Sequence, residues 1–142
     1  MDGAEQTDAI EACWAAYLGS LPAGSAAPAR YAEASAFGAL GEDALADELA
    51  ALIEGNVKTA TSTLLRWYEE GGHSLERLGD CWVVLDSTGR PRCVVEVTEV
   101  RVIPLGEVDA AFAADYGEGA RTLAWRRTHL GAYYAEHAAT AG

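Results

Sequence analysis

The chain has 142 residues, half of them apolar, and a formal net charge of −12. That length fits one domain with enough apolar side chains for a core that needs no disulfide or metal staple. The charge repels a polyanion at long range and disfavours tight, non-specific nucleic-acid binding, while leaving room for a small ligand or one nucleotide held locally.

No apolar run approaches the roughly 20 residues that a bilayer-spanning helix needs. The start, Met1-Asp2-Gly3-Ala4-Glu5, is acidic and polar, unlike a secretory signal or a transit peptide. A cytoplasmic location is therefore expected. The three cysteines, Cys13, Cys81 and Cys93, are odd in number and form no CxxC pair, which disfavours a disulfide framework and a zinc ribbon. His73, His129 and His137 lack ligand-like spacing with cysteines or carboxylates, so no metal site is expected. No Gly-rich phosphate loop, GxSxG elbow or HExxH motif is present, and no cofactor is expected.

Asp8 to Leu18 reads as a short amphipathic helix with Ile10, Cys13, Trp14 and Tyr17 on one face. Gly19 to Ser35, rich in Ala, Gly, Pro and Ser, reads as a connector. Together, residues 1–36 are expected to pack as a helix and connector on a domain spanning 37–142. Glu42-Asp43 opens a stronger helix whose apolar stripe is Leu45, Leu49, Leu52 and Ile53, with Gly55 as its C-terminal cap. Leu64, Leu65, Trp67 and Tyr68 predict another short helix, ended by Gly71-Gly72.

Leu78-Gly79-Asp80 reads as a turn into a buried strand, Cys81 to Leu85. Asp86-Ser87-Thr88-Gly89 predicts a hairpin turn, and Cys93 to Ile103 a half-exposed strand stopped by Pro104. Cys81 and Cys93 are placed on neighbouring strands as small packed hydrophobes. Glu107 to Ala114 reads as helix and Asp115 to Ala120 as a glycine-containing loop. Thr122 is the expected N-cap of a last helix carrying Leu123, Trp125, Leu130, Tyr133 and Tyr134. Helices, then strands, then helices argue for an α+β fold.

Two segments carry chemistry. Gly55-Asn56-Val57-Lys58-Thr59-Ala60-Thr61-Ser62 holds one amine and three hydroxyls within five residues. Lys58 is the chain's one lysine beside nine arginines. A lysine can shed its proton when buried, which an arginine cannot. Such a cluster can bind anionic or carbonyl oxygens, or activate a hydroxyl nucleophile with the neighbouring amine. A straight strand puts Ser62 on the Lys58 face, whereas a helical bend brings Thr61 there. The plain reading is a threonine-rich strand with a solvated lysine.

The second segment is Tyr116-Gly117-Glu118-Gly119-Ala120-Arg121-Thr122. Its carboxylate lies between two glycines that permit close backbone approach to a ligand. Arg121 and Thr122 open a helix whose amides suit an anion, unless they merely cap it. Arg121, Arg126, Arg127 and His129, with Trp125 among them, form the one basic concentration; Trp125 fits the apolar stripe of its helix better than a base-stacking role.

These pieces resemble the ASCH-domain family, within the PUA-like superfamily. Phe37-Gly38, Ala46 to Ala50 and Gly55 to Ser62 look like its signature. Gly79-Asp80, Val83 to Asp86, Gly89, Pro91, Gly117-Glu118-Gly119, Leu123, Trp125, Arg126 and His129 follow in the family's order. The resemblance implies a small PUA-like β-barrel surrounded by helices. It also implies RNA or nucleoside binding, and activity similar to amidohydrolases that remove the acetyl group from N4-acetylcytidine. Other members are described as ribonucleases.

Carried over residue by residue, the resemblance makes Lys58, Thr61 and Glu118 catalytic and places Thr59, Ser62, Asp115, Tyr116, Arg121 and Thr122 around the substrate. Relatives commonly have a glutamate where this chain has Tyr116, a phenol ill suited to replace a carboxylic acid. The implied partner is a nucleoside or RNA, with no DNA and no membrane; a ribonuclease and a non-catalytic binding module are the alternative readings. The oligomeric state is not legible in the sequence.

Overall fold

The computed structural model describes residues 1–24, 30–37 and 42–140, with the side chains of Tyr133 and residues 136–140 left out. Gly38 of the family-like signature, part of the expected connector and the His137 side chain fall outside what is described. The chain groups into two compact units, Met1–Glu54 with Glu76–Val100, and Gly55–Leu75 with Arg101–Gly142.

The first unit contains helix α1 (Gly3–Ser20), strand β1 (Arg30–Ala36), helix α2 (Asp43–Glu54), strand β2 (Asp80–Leu85) and strand β3 (Pro91–Glu96). Helix α1 starts earlier than its apolar pattern suggests. Asp2 and Glu5 form a capping box in which each side chain accepts the other's backbone N–H, at 2.8 and 3.1 Å. Helix α2 buries Ala46, Leu49 and Ala50; of the expected stripe Leu49 is buried, and Leu45, Leu52 and Ile53 are half-buried.

β2 is the central strand. It pairs in parallel with β1 and antiparallel with β3, giving the order β1-β2-β3. Cys81, Val83 and Val84 are fully buried, as the unbroken apolar run requires of a strand covered on both faces. The turn into β3 is held by Asp86, whose Oδ1 accepts from Thr88 N, Thr88 Oγ1 and Arg90 N. Asp86 is thereby kept below its ordinary carboxylate value against a contrary push from burial.

Three expectations need correction. The segment read as connector contains β1, because its small residues leave no apolar alternation to mark a strand. β3 stops at Glu96, and residues 97–104 have no regular structure, so Val100, Val102 and Ile103 are exposed. The described strands form an open three-stranded sheet; closure into a barrel is not seen among the described residues. The α+β class is as expected. Cys93 pairs with Val84, three residues beyond Cys81, so the two cysteines point to opposite faces of the sheet. Among the described residues no helix is long and apolar enough to cross a membrane, and no cluster of His, Cys, Asp and Glu is suited to a metal.

The second unit contains helix α3 (Leu65–Gly71), a 3₁₀ turn (Leu105–Glu107), helix α4 (Ala110–Tyr116) and helix α5 (Leu123–Thr140). Asp109 caps α4 by accepting from Phe112 N at 2.9 Å. Thr122 caps α5 by accepting from Trp125 N at 3.1 Å.

Leu49→Ala is expected to lower unfolding free energy by about 3 kcal/mol, the central value for emptying a buried leucine site. Leu78→Ala, at a side chain that is 68% exposed, is expected to stay within about 0.5 kcal/mol. Urea unfolding of both variants measures the contrast.

Candidate functional site

Residues 57–64 run without regular structure between Asn56 and α3. The left-handed residue after α2 is Asn56, with φ +60°, and not the expected Gly55. The segment is pinned by main chain. Thr59 N and Ala60 N both donate to the Asp115 carbonyl, at 2.7 and 3.0 Å. The Thr59 hydroxyl adds a longer contact to the same oxygen, at 3.4 Å.

This clamp turns Lys58 inward, where it is 4% exposed. Its Nζ donates to Ala60 O at 2.8 Å, Tyr116 O at 3.1 Å and Glu118 Oε2 at 2.8 Å. It also lies 3.4 Å from the centre of the Tyr116 ring. Three acceptors match the three protons of an ammonium, and the aromatic face adds a cation–π contact. Burial lowers the Lys58 pKa, the Glu118 carboxylate opposes that by hydrogen bond and charge, and nearby Arg126 lowers it further.

The two loop glycines serve this cage. Gly117 has φ +73°, and a Cβ there would come within 2.5–2.6 Å of Val57 O and Lys58 Cα. Gly119 has φ +57°, and a Cβ there would overlap the Trp125 indole. The close approach expected for a ligand is thus an approach of the loop to the Lys58 backbone and to α5. Between them Glu118 reaches back to Lys58 while its side chain stays 16% exposed, so its carboxylate borders both the interior and solvent.

Tyr116 is buried and forms the floor under the ammonium. Burial first, then the Glu118 charge, push its phenol far above the ordinary value, so it keeps its proton. It is a platform rather than an acid.

The remaining predicted site residues divide clearly. Ser62 belongs to a second cluster: its Oγ lies 2.6 Å from Tyr134 Oη and accepts from Arg126 Nη2 at 2.9 Å, and Tyr134 Oη donates to Ser62 O at 3.0 Å. Thr61 is exposed, and the three Lys58 donors are directed elsewhere. The Asp115 carboxylate is exposed and only its carbonyl works in the clamp. Arg121 is exposed and donates through Nε to Ala114 O at 3.1 Å. Thr122 is a helix cap.

Sequence reasoning missed Arg126 and Tyr134 as site neighbours. Both fall on the apolar face of α5 marked by Leu123 and Leu130, and a cation within that stripe was the available signal. Trp125 is half-buried and stacks on His129, ring centres 4.2 Å apart.

The ASCH domain family model matches residues 33–142. The chain belongs to the ASCH domain family. Its structure is similar to the crystal structure of an ASCH domain from Lactobacillus crispatus JV V101, with a TM-score of 0.78 and 29% sequence identity, over 91% of this chain and 80% of that one. It also matches in fold a protein from Enterococcus faecalis V583, with a TM-score of 0.73 and 23% identity, over 94% of this chain and 78% of that one. Comparison with curated proteins gave no match.

Breaking the ion pair leaves a mostly buried carboxylate without its partner. Lys58→Met is expected to destabilise this ASCH domain by about 2–4 kcal/mol, somewhat under the usual cost because Glu118 is partly solvated. The double variant Lys58→Met/Glu118→Leu is expected to recover at least half of that loss in a denaturant-based double-mutant cycle.

The pH dependence has a fixed sign. Because the folded-state amine is held below 10.5, the unfolded chain binds more protons between the lowered value and 10.5. Wild-type stability relative to Lys58→Met is therefore expected to rise with pH across that window and level off above it. Denaturant titrations over a pH series test this, and a difference that falls with pH would show that pairing with Glu118 outweighs burial at the amine.

Proposed function

We propose that this ASCH domain acts on a nucleoside or RNA-derived ligand, as a small hydrolase similar to the N4-acetylcytidine amidohydrolases. The single observation that carries the reading is the 2.8 Å contact between Lys58 Nζ and Glu118 Oε2. Burying a lysine is costly, and this one is held against a carboxylate that still reaches solvent. A desolvated cation beside a partly open carboxylate suits proton transfer to a bound polar group.

In this reading Glu118 carries the proton. It takes one from the attacking water and delivers it to the exocyclic nitrogen as the acyl C–N bond breaks, yielding the free amine and acetate; attack by Thr61 would instead leave an acetyl ester on Thr61 that a water then cleaves. Lys58 orients the Glu118 carboxylate, and Tyr116 fixes the ammonium from below. Attack by Thr61 with Lys58 as its base would require Lys58 to release one of its three acceptors. The proton-transfer role therefore goes to Glu118, while Thr61 offers an exposed hydroxyl in the same segment.

A second reading is a non-catalytic nucleoside or RNA-binding module. It is favoured by Tyr116, whose buried, protonated phenol stands where relatives commonly carry an acid. RNA cleavage fits less well, because a net charge of −12 opposes a polymeric anion.

The test is hydrolysis of N4-acetylcytidine, followed by release of cytidine and acetate. Wild type is expected to turn over, and Glu118→Gln to lower kcat/KM by about 10²–10⁴-fold, the usual contribution of a positioned acid or base. Loss in Thr61→Ala assigns the attacking oxygen to Thr61; retention assigns it to water. Binding of nucleosides or short RNAs without turnover establishes the module reading instead. Turnover that survives both Lys58→Ala and Glu118→Gln rules out this site.

A further inference from the structure

A second feature of the same unit adjoins the Lys58 cage. Beside α5 and the 3₁₀ turn lies a cavity of about 300 Å³, lined by Leu105, Val108, Leu123, Arg126, Arg127 and two glycines. That volume is at the small end of the range for ligand pockets. The lining residues are apolar apart from Arg126 and Arg127, of which Arg127 is exposed and Arg126 is only 3% exposed.

Arg126 is unusual in its partners. One Nη2 hydrogen bond goes to Ser62 Oγ, and the guanidinium carbon lies 5.1 and 5.2 Å from the Phe112 and Tyr116 ring centres. Its buried Nε has no hydrogen-bond partner. Among the described residues it forms no ion pair with a carboxylate. A buried cation whose contacts are a neutral hydroxyl and aromatic faces is uncompensated, and an unmet buried N–H adds to the cost. An oxyanion in the adjoining cavity would supply the missing charge.

We propose that this cavity is an oxyanion-binding site, in which Arg126 holds a carboxylate or phosphate group and Leu105, Val108 and Leu123 pack against a short apolar body attached to it. Arg127 at the exposed side adds attraction without closing the site. The two glycines keep the space open. A Cβ added at Gly131 meets nothing within 4 Å, so the space directly beside it is open.

The experiment uses the full chain and follows thermal stability and calorimetric binding with inorganic phosphate, acetate and benzoate. Sodium chloride at equal ionic strength is the control. An anion that binds the folded state raises Tm by mass action, while chloride at matched strength reproduces only screening. Wild type is expected to respond to at least one oxyanion; preference for benzoate over acetate identifies a carboxylate with an apolar body, and preference for phosphate identifies a phosphomonoester. Gly131→Leu fills the cavity while leaving Arg126 and the helix in place, and is expected to weaken binding by roughly tenfold or more, the worth of a charged hydrogen bond. Arg126→Gln is expected to do the same if it folds. No response of wild type to any oxyanion beyond chloride, or an equal response in Gly131→Leu, overturns the proposal.

Discussion

The second unit is organised around the solvation of one ammonium group. Lys58 loses water on burial, and three oxygens and an aromatic face replace it. Each replacement comes from a different structural device. Ala60 O is supplied by the turn of the segment itself, which the Asp115 carbonyl holds by accepting two backbone N–H groups. Tyr116 O and the Tyr116 ring come from the end of α4. Glu118 comes from the loop beyond, which can pass the Lys58 backbone only because residue 117 has no side chain. Removing any one leaves a charge that the others do not fully satisfy.

This arrangement explains why a lysine is kept in a chain otherwise rich in arginine. A guanidinium is planar, carries five donors and cannot match three acceptors gathered around one point above a ring. The cage also explains the fate of Tyr116. A second acid at position 116, beside Glu118, would place two negative charges against one ammonium. The phenol gives an aromatic face and a hydroxyl that stays protonated, so the local charge remains one cation and one anion.

Arg126 shows the contrast. Its neighbours are a serine hydroxyl and two aromatic rings, with no carboxylate among the described residues, and a cavity stands beside it. Lys58 and Arg126 are both buried cations in one unit, and Arg126 contributes to lowering the Lys58 pKa. One is neutralised from within the chain. The other is neutralised, on the proposal above, by whatever enters the cavity.

The residue pattern by itself determined a good deal. The stripe of α2, the apolar run of β2, the Asp86 turn and the Thr122 cap each depend on neighbours a few residues apart, so their periodicity and capping chemistry are legible without tertiary contacts. The singular lysine, and the carboxylate between glycines, were visible as residue types whose chemistry is hard to replace. Tertiary structure decided the rest. β1 is a strand because β2 offers it a parallel partner, since its own small residues state no preference. Residues 97–104 alternate like a strand but have no regular structure, because alternation describes a face and does not supply a partner. Above all, the pairing of Lys58 with Glu118 spans 60 positions, and the exposure of Thr61 next to it depends on the Asp115 clamp. Local sequence fixes which groups are present; the distances between them arise from main-chain contacts that no spacing encodes.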